Sequence, residues 1–289
     1  MEPDQHSYKI RTMLLIDGNN FISHYLKTNT PLAAGKIGIT EMNLLFCAHM
    51  MKSGHPLMTH LKHEAENIAG FYPYTVETTL RFSERLLSML SDVDLIPIWN
   101  RVIPSFERYV LETFAPTSHK TALEQLEPYF SDKPWTDHLK DKTVLVFSPF
   151  ADSISENYPN LSRIWNSKIT NNFNLKVYNY PFSLPISSNS EYADSEEVYQ
   201  KYLNILRNES FDVGIFGTGY TSLLYTIEAK RLGKTGIHLG GSTQILFGIK
   251  GQRWKDISRF NEVFNNYWTE PKPHEKPPGH KLVEGGCYW

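Results

Sequence analysis

Cysteine is nearly absent. Cys47 and Cys287 are the only two in 289 residues, too few for a disulfide framework or a zinc cage. Long hydrophobic runs are missing too. The longest apolar stretches, such as Leu44–Ala48 and Val144–Phe147, fall far short of the roughly 18 residues a membrane helix needs, so no membrane span is expected. Arg11 precedes only Met13–Ile16 before Asp17 interrupts, which is no signal-peptide core. A soluble, cytoplasmic protein is the resulting expectation. Neither sign of charge dominates: 29 Lys and Arg face 31 Asp and Glu, a formal net of −2. That argues against a nucleic-acid partner held by counterion release and against a polybasic membrane anchor. What the chain does have is aromatic rings, 13% of its residues, which suit clefts for ring-shaped polar ligands, although most rings belong in the core.

The spacing of apolar residues predicts an α/β chain with a helical N-terminal portion. The stretch Pro31–Gly38 reads as a buried strand running into a turn, with Thr40 as helix N-cap and Glu41 in the first turn. Met42, Leu45, Phe46, His49 and Met50 recur at helical spacing up to Gly54. A second helix is expected over 75–90 with Val76, Leu80, Leu87 and Leu90 inward, and a third from Pro104 with Phe106, Val110 and Phe114 inward. Pro97 confines the strand 93–99 to an edge or to its own end. From residue 140 strands and helices alternate: strands at 143–148, 175–180, 211–216 and 235–239, helices after Asp194 and over 221–232. Such alternation implies a Rossmann-like, mostly parallel sheet with crossover helices. Residues 1–268 read as one α/β domain, and 269–289 as a Pro-rich tail, either a surface strap or disordered.

Two strand-to-helix turns carry the best chemical signal. The first is Gly217-Thr218-Gly219-Tyr220-Thr221-Ser222, where free N–H groups, hydroxyls and a helix start could face phosphate. The other reading is a tight turn with a Ser/Thr cap. The second turn is Gly240-Gly241-Ser242, one strand later and just after His238. Neither is a dinucleotide fingerprint or a Walker loop, since the third glycine, the ribose acid and the Gly-Lys-Ser/Thr are all missing. The cluster His55, His60, His63 and Glu64 matches no zincin arrangement and is set aside. Arg253-Trp254 could stack on a base or sugar, or simply anchor a helix end.

The segments Lys36–Glu41 and Asp212–Trp254 together resemble the GT-D fold glycosyltransferases, whose signature is a strand ending in arginine, any residue, glycine, aspartate, glycine, glutamate. Here that stretch is Lys36-Ile37-Gly38-Ile39-Thr40-Glu41. The C-terminal half offers the strand Val213–Phe216, the turn Gly217–Ser222, the Lys230-Arg231-Leu232-Gly233 helix end and the segment Thr235–Gly241. Residues 55–140 have no counterpart. The resemblance implies transfer of a sugar from a nucleotide-sugar donor, UDP-sugar foremost, to a glycan acceptor in surface-polysaccharide or glycoprotein synthesis. It implies donor contacts at Lys36, Gly38, the two glycine turns and His238, and a catalytic role for Glu41. The family's aspartate is Ile39 here, so the acidic pair that could hold a divalent ion is incomplete, and no metal site or other cofactor is expected. Asp152, just past the strand 143–148, is the acid nominated as substitute ligand or acceptor base. Alternatives are a non-catalytic nucleotide or glycan binder of the same fold and an NAD-dependent oxidoreductase; a homo-oligomer is left open.

Overall fold

Short strands, all but one ending in or closely followed by glycine or proline, build the sheet of the computed structural model, which describes residues 14–99, 103–187 and 191–289. Seven strands form: β1 (Leu32–Gly35), β2 (Leu95–Pro97), β3 (His119–Thr121), β4 (Thr143–Ser148), β5 (Asn174–Asn179), β6 (Val213–Phe216) and β7 (Thr235–His238). Every pairing is parallel, and the order across the sheet is β3-β2-β1-β7-β6-β4-β5. The first eight helices are α1 (Gly18–Thr28), α2 (Ile39–Lys52), α3 (Val76–Met89), α4 (Pro104–Phe114), α5 (Ala151–Asn157), α6 (Leu161–Ile164), α7 (Ser195–Asn208) and α8 (Ser222–Arg231). Three short ones follow, α9 (Ser242–Leu246), α10 (Gln252–Lys255) and α11 (Ser258–Asn261).

Strand alternation divides the core in two. Ala33, Leu145, Phe147 and Phe216 face α2, α3, α4, α7 and α8, while Leu32, Ala34, Val144, Val146 and Ile237 face α1, α5, α6 and α9. A parallel sheet covered on both faces needs apolar residues at successive positions, which is why the central strands β1, β4 and β6 carry continuous buried runs, unlike β3 and β5 at the edges. Phe147, fully buried, meets the rings of Tyr178, Tyr202, Phe216 and Tyr225 at 5.3–5.9 Å. On the usual scale a ring packed in this way contributes about 3–5 kcal/mol.

The expected α/β architecture is present, with six strands where sequence patterning puts them. The seventh, β3, has the sequence His-Lys-Thr and lacks any apolar signal. Three details depart from expectation. Gly38, not Thr40, is the N-cap of α2. The buried face of α3 is Thr79, Phe82, Ser83, Leu86 and Met89, and Val76 is exposed, because the capping pair Thr75 and Thr78 sets the start of the helix and with it the rotation of every later residue. Asp17-Gly18-Asn19-Asn20, a run of residues that from sequence alone reads as a polar turn, is the start of α1, with Asp17 accepting from Asn20 N–H at 2.9 Å. Met13, the first residue of the apolar patch at 13–16, lies outside the described residues, and Leu14 and Leu15 are exposed.

Of the two readings of the Pro-rich tail, the structure has the surface strap, anchored at a buried residue. Its only regular pieces are single 3-10 turns, as proline dictates, but Glu275 is buried against α5. The Glu275 carboxylate accepts from the N–H groups of Asp152, Ser153 and Lys272, each at 3.0 Å, and so caps the otherwise unsatisfied start of α5. Trp289 Nε1 donates to Glu275 O at 2.7 Å, drawing the last residues back toward the sheet.

Candidate functional site

A cavity of about 530 Å³ opens at the carboxyl edge of the sheet. It is lined from the ends of β1, β2, β4, β5, β6 and β7 and closed on one side by the tail. Parallel sheets bind ligands at this edge, where the chain leaves neighbouring strands in opposite directions. Here β1 leads outward to β2 while its other neighbour, β7, comes last in the chain.

Local sequence explains how each polar group reaches the cavity. β1 ends at Gly35, and Lys36-Ile37-Gly38 crosses the strand ends before α2 begins. Gly38 has an extended backbone and no side-chain cap, and Glu41 turns its carboxylate back over it. A methyl group at position 38 would lie 2.0 Å from Glu41 Oε2. Burial raises the Glu41 carboxyl above the ordinary carboxylate range, opposed by a hydrogen bond from its own N–H and by Lys36. Lys36 Nζ sits 5.1 Å from the centre of the Trp99 ring and has no hydrogen bond or ion pair among the described residues. Burial lowers its pKa, and Arg253 pushes the same way, while Glu127 and Glu41 oppose the shift. Trp99 is itself fixed, donating from Nε1 to Ile37 O at 3.0 Å.

His238, the last residue of β7, is 3% exposed, with Nδ1 2.9 Å from Lys36 O. Burial, aided by the Lys36 charge, pulls its pKa down to about 3, so the ring is neutral at physiological pH. Across the cavity Arg253 lies 4.8 Å over the Tyr288 ring and donates to Tyr288 Oη and Cys287 Sγ, each at 3.3 Å, and to Glu284. Phe150, Phe182 and Trp289 form a contiguous aromatic wall, with ring centres 5.4–6.1 Å apart. Thr243 Oγ1 and Gln244 Oε1, both on cavity residues, are buried without a partner among the described residues.

No family model matches this chain, and no curated protein or solved structure matches it. The residues themselves therefore carry the functional reading.

Nine of the fourteen residues assigned from sequence to catalysis or donor binding meet at this cavity: Lys36, Gly38, Glu41, Gly217, Thr218, Gly219, His238, Gly240 and Gly241. Five do not. Tyr220 turns into the core and donates to Ser195 O at 3.0 Å, and Thr221 donates to Thr218 O at 2.9 Å. Ser222 Oγ accepts from Thr218 N–H at 2.8 Å, and Ser242 Oγ donates to Glu127 at 2.6 Å. The hydroxyls expected to donate to phosphate are thus bound within the protein. Much of the backbone of the first turn is bound as well: Gly217 N–H goes to Phe147 O and Tyr220 N–H to Ala69 O, both at 3.0 Å. The capping reading of that turn explains most of its composition. The positive charge at the cavity is that of Lys36 and of Arg253, the latter ion-paired with Glu284.

Asp152 is also outside the cavity. It stands at the start of α5 with its carboxylate 2.7 Å from His274 Nε2, both side chains more than 60% exposed. It is badly placed as a substitute ligand or acceptor base. The divalent ion that the GT-D resemblance raises does not fit the residues present. Among the described residues no three His, Cys, Asp or Glu side chains cluster, Ile39 offers no donor, and an ammonium rather than a second carboxylate stands near Glu41. The sequence reading missed Trp99, Phe150, Phe182, Gln244, Tyr288 and Trp289. Only Arg253 carried a local signal, its neighbour Trp254.

Proposed function

We propose that the chain is a glycosyltransferase of the GT-D type, moving a sugar from a nucleotide-sugar donor, UDP-sugar foremost, to a hydroxyl of a glycan acceptor. One observation carries this reading. Two cations, Lys36 and Arg253, share a cavity with Glu41, a carboxylate of raised pKa, and with an aromatic wall. Lys36 and Arg253 suit a diphosphate, the rings suit a base or sugar face, and a carboxylate of raised pKa is a better proton acceptor than an ordinary one. In the step this supports, the acceptor oxygen bonds to the anomeric carbon as the bond from that carbon to the diphosphate oxygen breaks. The hydroxyl proton passes to Glu41, and the leaving diphosphate takes the electron pair and is held by Lys36 and Arg253.

A non-catalytic nucleotide or glycan binder is the second reading, favoured by Ile39, an apolar residue 39% exposed at the cavity where the resembling family has aspartate. Thermal-shift screening with UDP-, GDP-, CMP- and dTDP-sugars beside NAD separates the readings. Stabilisation by a nucleotide sugar, lost in Lys36→Met, supports a donor site, and release of free nucleotide over hours distinguishes transfer or hydrolysis from binding alone. Stabilisation by NAD only, or by none of them, overturns the proposal.

A further inference from the structure

His238 has one ring nitrogen committed to the protein and one left over. Its Nδ1 faces the carbonyl oxygen of Lys36 at 2.9 Å, and a carbonyl can only accept. Nδ1 therefore carries the proton, and Nε2 presents a lone pair. Nε2 has no partner among the described residues, although the ring is 3% exposed and lines the cavity. A methyl group at Gly240 would come within 3.3 Å of Nε2, 3.3 Å of Lys36 Cε and 3.5 Å of Lys36 Nζ. An acceptor with no donor and an ammonium with no directly ion-paired anion thus flank one point. The depressed pKa of the ring keeps Nε2 unprotonated at neutral pH. A phosphate oxygen would satisfy the ammonium but would be repelled by the lone pair.

We infer that His238 Nε2 accepts a hydrogen bond from a ligand hydroxyl placed beside the anion that Lys36 holds. On the proposed function, on which this inference rests, the hydroxyl belongs to the donor's sugar or to its ribose. His238 is then a positioning residue for the donor, and the glycine at 240 keeps the approach open.

The test uses the full chain labelled with nitrogen-15 histidine, titrated with UDP and separately with UDP-glucose, binding being followed calorimetrically. A free imidazole lone pair and a hydrogen-bonded one resonate apart. Movement of the Nε2 signal with UDP-glucose alone supports the inference and assigns the sugar hydroxyl, and movement with both supports it and assigns the ribose. Binding of either ligand with an Nε2 signal that neither of them moves overturns the inference and leaves the donor site standing. No binding by either overturns the inference for a uridine donor, and only failure of every nucleotide sugar in the screen overturns the donor site with it. His238→Asn supplies the second measurement, since its amide can still donate to Lys36 O but cannot reach Nε2's place. It is expected to weaken the ligand that moves the signal about tenfold, the scale of one lost hydrogen bond, with the fold intact by circular dichroism. Unchanged affinity in the folded variant overturns the inference.

Discussion

The carboxylate of Glu41 occupies the space that a side chain on Gly38 would fill. The two positions are therefore a single device: a glycine at the N-cap of α2 lets the acid at the third helical position fold back into the cavity, where burial raises its pKa. In the usual capping box a glutamate at this position reaches the N-cap N–H, but Glu41 bonds its own.

If Glu41 is the proton acceptor, Glu41→Gln lowers turnover of the bound nucleotide sugar about a hundredfold or more. Stability stays within about 1 kcal/mol or rises, because the removed charge is one that burial disfavours. Gly38→Ala has ordinary backbone angles to occupy but evicts the carboxylate, so it lowers turnover by a similar factor. The double variant is no worse than Glu41→Gln. Additive losses in that kinetic cycle would separate the two residues.

Gly219 looks from sequence like a position where bulk removes only ligand binding. Its φ of +62° and the 2.3 Å that would separate a methyl group there from Ala69 O make it structural instead. Gly219→Val is expected to lose about 3 kcal/mol or more, from left-handed strain and from displacement of the 64–70 segment whose carbonyl binds Tyr220 N–H. Urea denaturation checks this. A variant of native stability that had merely lost ligand affinity would restore the simple phosphate-turn reading.

His238 has a pH signature. Its folded pKa of about 3 lies below the ordinary value of 6.5, so the unfolded chain binds a proton that the native ring refuses. Stability on this account is complete above pH 6.5 and falls as pH drops toward about 3, by at most about 1.4 kcal/mol per pH unit. His238→Asn removes this contribution, so the drop in unfolding free energy from pH 7 to pH 5 is smaller than in the parent by about 2 kcal/mol. Equal drops would mean that the ring protonates in the native state.

Metal dependence follows from charge. If the cavity binds a diphosphate as proposed, Lys36 beside Glu41, with Ile39 where the resembling family has an acid, supplies a cation for it. Donor binding and any transfer are expected to survive EDTA. A several-hundredfold loss restored by Mn²⁺ or Mg²⁺ would show that another carboxylate has taken the place of the aspartate.

What could be read from sequence divides along physical lines. β4 was legible residue for residue because four successive apolar residues, Val144–Phe147, all buried between the two helical layers, leave no other reading, whereas β3, three residues with one buried, left no trace. The glycine turns after β6 and β7 were legible as places, since short turns of that kind need glycine. The direction of their hydroxyls was not, because a single 3-10 turn at Gly219–Thr221 rotates Tyr220 and Thr221 into the core. Arg253, Tyr288 and Trp289 meet Lys36 and Glu41 only through the tertiary fold. No local pattern announces a cavity wall made by a proline-rich tail.

That wall has a thermodynamic consequence. Lys36 and Glu41 stand some 250 residues from Tyr288 and Trp289 along the chain, yet they border one space. A ligand seated there binds only when both extremities are in place, so its binding energy is shared by the whole native state rather than by one lobe. Saturation at a hundred times the dissociation constant would raise the global unfolding free energy by about 2.7 kcal/mol. The same occupancy would slow hydrogen exchange in β1 and in the 283–289 segment together, tying the two distant stretches into one cooperative unit.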